Sequence, residues 1–129
     1  GRLSGGGAGG KGRRDMVLIV GGMAQGKLDF ARPELGVTAW SEGTLGEADC
    51  VRNLQQVIRD TPDWQEALET WCAAHPGGVL ICDEVGCGVT PLAREDRDWR
   101  EQVGRTCCRL AAEAEAVYRV YCGLGVRIK

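Results

Sequence analysis

No run of apolar residues in the 129-residue chain approaches the length of a membrane span, so no membrane partner is expected. The N-terminal stretch has no apolar core of the secretory kind, and the expectation is a cytoplasmic protein. Charge of one sign is also scarce: 16 Lys and Arg against 18 Asp and Glu give a net charge of −2. That is too little to argue for a nucleic-acid partner or an anionic membrane surface. There is one histidine, His75, and no Cys-x-x-Cys pair, so the spacing of a zinc ribbon or finger is missing. Seven cysteines are present (Cys50, Cys72, Cys82, Cys87, Cys107, Cys108 and Cys122). An odd count suits free thiols packed as small hydrophobes better than a disulfide framework.

What remains is an ordinary soluble composition, 43% hydrophobic and 26% charged, in one domain's length of chain. Residues 1–15 contain seven glycines and no periodic pattern, and they read as a disordered tail. The tail carries +3, which leaves −5 for residues 16–129, read as a single domain. The apolar run at 16–20 reads as a strand buried on both faces. A helix is expected from Gly26 to Arg32, stopped by Pro33, with a short strand at 37–40 and a polar loop at 41–49. Val51, Leu54, Val57 and Ile58 lie at helical spacing, as do Trp64, Ala67, Leu68 and Trp71. A second buried strand follows at 79–82, then a Gly-rich loop ending at Pro91. A long helix spans about 95–115, with Trp99, Val103, Cys107, Leu110 and Ala114 on one face. Alternation at 117–121 reads as a strand, and a turn at 123–125 leads to a short closing strand. Strands alternating with helices predict an α/β fold in three layers, with helices flanking a mainly parallel sheet.

Two segments carry chemistry. Gly21-Gly22-Met23-Ala24-Gln25-Gly26-Lys27 has P-loop spacing, between a buried strand and a helix. Glycines let backbone N–H groups curl around phosphate oxygens, the helix start favours an anion, and Lys27 would reach the β- and γ-phosphates. The next residue should carry a hydroxyl for Mg²⁺, and here it is Leu28. A Gly-rich turn that binds nothing is the competing reading. The second segment, 79–84, ends four apolar residues on Asp83-Glu84, the pattern of a strand-end acid that holds Mg²⁺. Two solvated acids at a strand end are its bland alternative. Ligands of open α/β sheets bind beyond the carboxyl ends of strands, where both segments lie. Arg100 and Arg105 are candidate phosphate ligands, against the alternative of helix-surface ion pairs.

The segment 79–112 resembles the adenosylcobinamide kinase / adenosylcobinamide-phosphate guanylyltransferase family. Asp83-Glu84-Val85-Gly86-Cys87-Gly88-Val89-Thr90-Pro91 is similar to its Asn-Glu-Val-Gly-x-Gly-x-x-Pro. Trp99-Arg100-Glu101 is similar to its Phe-Arg-Asp, and 104–111 to its Gly-Arg-x-Asn-Gln-x-Leu-Ala. The ending 121–129 and the Gly-Gly-x-x-x-Gly-Lys of 21–27 resemble the same family. The resemblance implies a P-loop fold, a nucleotide (ATP or GTP with Mg²⁺), adenosylcobinamide as second substrate, and a trimer. It implies nucleotide binding by residues 21–28 with Arg100 and Arg105, Mg²⁺ at Asp83 and Glu84, and catalytic roles for Lys27 and Glu84. The chain departs from the pattern at Leu28 (serine in the family), at Asp83 (asparagine) and at Cys107-Cys108 (Asn-Gln). The family is longer in its middle, where it carries the histidine that takes GMP covalently. No histidine lies between Lys27 and Trp71. The expectation is therefore a kinase whose guanylyltransferase step is lost. The alternatives are a catalytically degenerate nucleotide- or corrinoid-binding paralogue, or a P-loop kinase for another substrate.

Overall fold

A computed structural model describes residues 15–85 and 94–129 of the chain. Residues 1–14 of the expected tail and residues 86–93, which include the end of the expected Gly-rich stretch at Pro91, lie outside the described residues. The element order is β1 (Val17–Gly21), α1 (Lys27–Leu35), β2 (Ser41–Glu42), β3 (Cys50–Arg52), α2 (Leu54–Asp60), α3 (Trp64–Ala74), β4 (Val79–Asp83), α4 (Arg94–Glu113), β5 (Ala116–Tyr121) and β6 (Leu124–Arg127). The strands form one sheet in the order β2-β3-β4-β1-β5-β6, parallel throughout except for the antiparallel β5–β6 pair. This is the expected α/β architecture.

β1 and β4 are central, which explains why both are continuous apolar runs: each must bury side chains on two faces. Leu18, Leu80, Cys82 and Val117 point to one face, where Leu54, Val57, Leu68, Trp71, Val103 and Leu110 from α2, α3 and α4 cover them. Ile19, Ile81 and Val120 point to the other, under Ala31 of α1. The alternation of adjacent strand residues between two buried clusters gives the three layers.

Local readings fail where tertiary contacts outweigh pattern. α1 does not stop at Arg32; it runs through Pro33 to Leu35 and ends at Gly36, which takes φ 69°. Proline costs the helix one hydrogen bond, and the packing of Ala31, Phe30 and Leu35 against the sheet offsets it. The short strand is not at 37–40, because Val37 and Trp40 join the core under α1; it forms at Ser41–Glu42, paired with β3. Val51 belongs to a strand rather than a helix, lying opposite Leu80 in the sheet, and Asn53 at φ 60° separates β3 from α2. The closing turn is at Cys122-Gly123, both with positive φ, so Gly125 lies inside β6. The Phe30 ring packs where a Cβ on Gly125 would sit.

Candidate functional site

The parallel register places Gly21 opposite Asp83, and the Glu84 N–H donates to the Gly21 carbonyl at 2.9 Å. The ends of the two apolar runs are thus locked side by side at the carboxyl edge of the sheet. This edge lies at a switch point: β1 has β4 on one side and β5 on the other.

From Gly21 the chain turns through Ala24 (φ 58°) and Gly26 (φ 88°) into α1, where the Phe30 N–H donates to the Gly26 carbonyl. The loop is pinned from behind by the β5–β6 hairpin. The Cys122 N–H donates to Gln25 Oε1 and the Gly123 N–H to the Gln25 carbonyl, both at 2.7 Å. A Cβ on Gly26 would come within 3.1 Å of Gly123 Cα, so glycine is required there by space as well as by φ.

Lys27, at the first turn of α1, is 7% exposed. Its ammonium donates to the Gly22 carbonyl at 2.6 Å and pairs with Asp83 Oδ1 at 2.7 Å. Asp83 Oδ2 accepts from Gln55 Nε2 at 3.2 Å, and the Asp83 N–H donates to Gln55 Oε1 at 3.0 Å. Beside this cluster opens a cavity of about 700 Å³. Met23, Ala24, Gly26, Lys27, Leu28 and Asp29 form one wall; Arg52, Asn53, Gln55, Gln56, Asp83, Val85 and Trp99 form the other. Of the residues expected to bind nucleotide, Gly21, Gly22 and Gln25 support this cavity and do not line it.

A second cleft of about 490 Å³ lies between α4 and the β1–β5 region. Asp83 and Val85 border both spaces, while Glu84, Arg100, Arg119, Cys107 and Cys108 border the second alone. Glu84 pairs with Arg119 at 3.2 Å. The Arg119 Nε atom is buried and lacks a partner. Arg105 is not brought to either space: it is exposed, pairs with Glu101 at 2.6 Å, and borders a separate groove with Trp64 and Arg109. His75 lies at the opposite end of β4, stacked on Trp71 with ring centroids 4.4 Å apart and 2.7 Å from Asp49.

The cysteines around the site are thiols. Cys82, next to Asp83, is hydrogen-bonded with Cys107 and buried, and both effects push its pKa well above the usual thiol range. The same hydrogen bond lowers Cys107. Among the described residues no cluster of three or more metal-ligating side chains occurs. Leu28 borders the cavity and packs in part against the cluster beneath α1, and its hydrocarbon side chain offers the cavity no oxygen.

A family model described as cobinamide kinase / cobinamide phosphate guanyltransferase matches residues 36–128. The chain belongs to this family. The match begins after α1, so the Gly21–Lys27 segment stands outside it. The bifunctional adenosylcobalamin biosynthesis protein CobU of Salmonella typhimurium is 47% identical over 51 residues, 40% of this chain and 28% of the relative. The protein of that name from Escherichia coli is 45% identical over 65 residues, 50% of this chain and 36% of the relative. The chain thus spans about a third of the length of the curated relatives it matches.

Several residues at the cavity escaped the sequence reading. Arg52, Asn53, Gln55 and Gln56 were hidden because 51–58 carries a helical apolar pattern. The usable signal was the pair Asn53 and Gln55, polar residues just past the end of a strand. Arg119 looked like an ordinary outward residue of an alternating strand.

Proposed function

We propose that this cobinamide kinase family member binds a nucleoside triphosphate, ATP or GTP, in the 700 Å³ cavity and transfers its γ-phosphoryl group to the aminopropanol hydroxyl of adenosylcobinamide. The observation that carries the reading is the Lys27–Asp83 pair at 2.7 Å, held at the carboxyl ends of two adjacent parallel strands. A buried ammonium beside a glycine-lined helix start is suited to a polyphosphate, which would take the place of Asp83 on Lys27.

In this reading the backbone at 21–28 cradles the phosphates and Lys27 neutralises charge as it develops on the transferred group. Mg²⁺ fits the donor set present, because it is commonly held by one or two carboxylates and the substrate's own phosphates, and Asp83 offers such an oxygen. When bound there it would neutralise phosphate charge. Glu84, on the other side of Asp83, would orient the acceptor hydroxyl, and Arg100 in the second cleft would steady phosphate. Arg105 has no part in this arrangement, since its partner is Glu101.

Guanylyl transfer through a histidyl intermediate is left out of the proposal. His75 is engaged with Trp71 and Asp49 at the far end of β4, away from the cavity. The second reading is a nucleotide-binding protein without catalysis, and Leu28, which brings no hydroxyl to the cavity it borders, favours it. For assembly we propose the homotrimer implied by the resemblance, with the exposed Leu124, Val126 and Ile128 at the sheet edge as the apolar surface it would cover. No described helix is long and apolar enough to cross a membrane.

The test is calorimetric titration of ATP and GTP, with Mg²⁺, into the wild type and Lys27→Ala, followed by a cobinamide phosphorylation assay. Loss of one charge-assisted contact predicts an affinity roughly 10- to 100-fold weaker in the variant. Binding without phosphorylation selects the non-catalytic reading. No binding by the wild type sinks both.

A further inference from the structure

We propose that Gln55 is a positioning residue, which sets the Asp83 carboxylate so that one oxygen faces Lys27 and the cavity. The inference rests on the nucleotide-site reading above and extends it to a residue outside both motifs.

Gln55 is 5% exposed, and both ends of its amide are hydrogen-bonded to Asp83. Oε1 accepts the Asp83 N–H at 3.0 Å, and Nε2 donates to Asp83 Oδ2 at 3.2 Å and to Asn53 Oδ1 at 3.2 Å. The arrangement admits one amide orientation. An N–H must meet an oxygen, and the carboxylate must meet a donor. Reversing the amide would set N–H against N–H and oxygen against oxygen.

Gln55 is itself held from a third direction. The indole N–H of Trp99, on α4, donates to the Gln55 carbonyl at 2.9 Å. Trp99 in turn lies under the Arg59 guanidinium, 4.3 Å from the ring centroid. The chain of contacts runs from α4 through α2 to the strand-end acid. Its consequence is geometric: Asp83 cannot rotate without stranding a buried amide, so Oδ2 stays on Gln55 and Oδ1 stays toward Lys27. When phosphate takes Lys27, Oδ1 is the oxygen left for a cation bound to the nucleotide. Partners that orient a metal-binding carboxylate commonly change metal affinity by about 10- to 100-fold when removed.

The experiment compares the wild type with Gln55→Ala and Gln55→Met. The methionine keeps the volume and removes the hydrogen bonds, which covers the case in which the alanine variant does not fold. ATP and GTP affinities are measured by calorimetry in EDTA and in Mg²⁺. Mn²⁺ bound to the protein–nucleotide complex is followed by water-proton relaxation, a readout independent of turnover. The expected result is that the gain in affinity on adding Mg²⁺, taken relative to each protein's own EDTA affinity, and the Mn²⁺ affinity are both lower by about tenfold or more than in wild type. An unchanged Mg²⁺ gain in both variants would overturn the proposal. Equal losses in EDTA and Mg²⁺ would also overturn it, because they mark general damage to the cavity. A wild type that binds no nucleotide under either condition removes the nucleotide-site reading, and the role of Gln55 with it. Failure of the wild type is thereby distinct from failure of the variants.

Discussion

Replacing Asp83 by asparagine tests the central pair most directly, since it deletes one charge and almost no volume. In the resting protein the Lys27 ammonium has two acceptors, the Gly22 carbonyl at 2.6 Å and Asp83 Oδ1 at 2.7 Å. Their side chains are 7% and 16% exposed, so screening by water is limited. At 2.7 Å and an effective dielectric of about 20, the gross attraction is about 6 kcal/mol. Dehydrating the two groups costs about several kcal/mol each and cancels most of it. What remains on substitution is a buried ammonium without a counter-charge, and the expected loss of stability is about 1–3 kcal/mol. For a chain of this size that lowers Tm by roughly 4–12 °C. The same substitution removes the group with which a phosphate competes for Lys27. In EDTA, Asp83→Asn is therefore expected to bind ATP or GTP about tenfold more tightly than wild type, each factor of ten being about 1.4 kcal/mol. Saturating nucleotide should then recover part of the lost Tm. With Mg²⁺ the order reverses, because the oxygen offered to the cation has lost its charge. Thermal melts and calorimetry on the two proteins suffice. A variant as stable as wild type, or one that binds nucleotide more weakly in EDTA, would refute the reasoning.

Three other outcomes are expected. Leu28→Ser should increase the Mg²⁺-dependent part of nucleotide affinity and lower stability by about 1–2 kcal/mol through lost contact with the core beneath α1, read by calorimetry and urea unfolding. Gly26→Ala places a Cβ at φ 88° and 3.1 Å from Gly123 Cα; a loss of about 1–3 kcal/mol is expected in urea unfolding, smaller for Gly26→Asn because asparagine tolerates this region better. Burial, with a smaller effect from Glu42, pushes the Cys50 thiol up to about 11, so the folded protein keeps a proton that the unfolded chain releases. Stability should fall as pH rises from about 9 to 11, by about 2–3 kcal/mol in all, and unfolding of Cys50→Ala under reducing conditions should lack this part of the slope.

Much of the fold was legible because its central strands must be apolar on both faces, and few other structures need runs such as 16–20 and 79–82. Where an element has only one buried side, pattern was ambiguous. Val51 fits a helix face and a strand equally, and pairing with Leu80 decided for the strand. Pro33 signals a stop in any isolated helix, yet α1 continues because its far end is anchored by Leu35 in the core.

The amino-acid sequence by itself determined the α/β alternation, the family, and the two segments that meet at the carboxyl edge of the sheet. These depend on chain-local properties: residue polarity, glycine spacing and the order of motifs. Only the tertiary structure decided that Lys27 faces Asp83, that Glu84 turns instead to Arg119, that Arg105 is spent on Glu101, and that Gln55 holds the strand-end acid. Gln55 and Asp83 are far apart along the chain, and their contact exists because β3 and β4 lie side by side and end at the same edge. Strand order and register are properties of the whole packed sheet, so no window of sequence around either residue contains them.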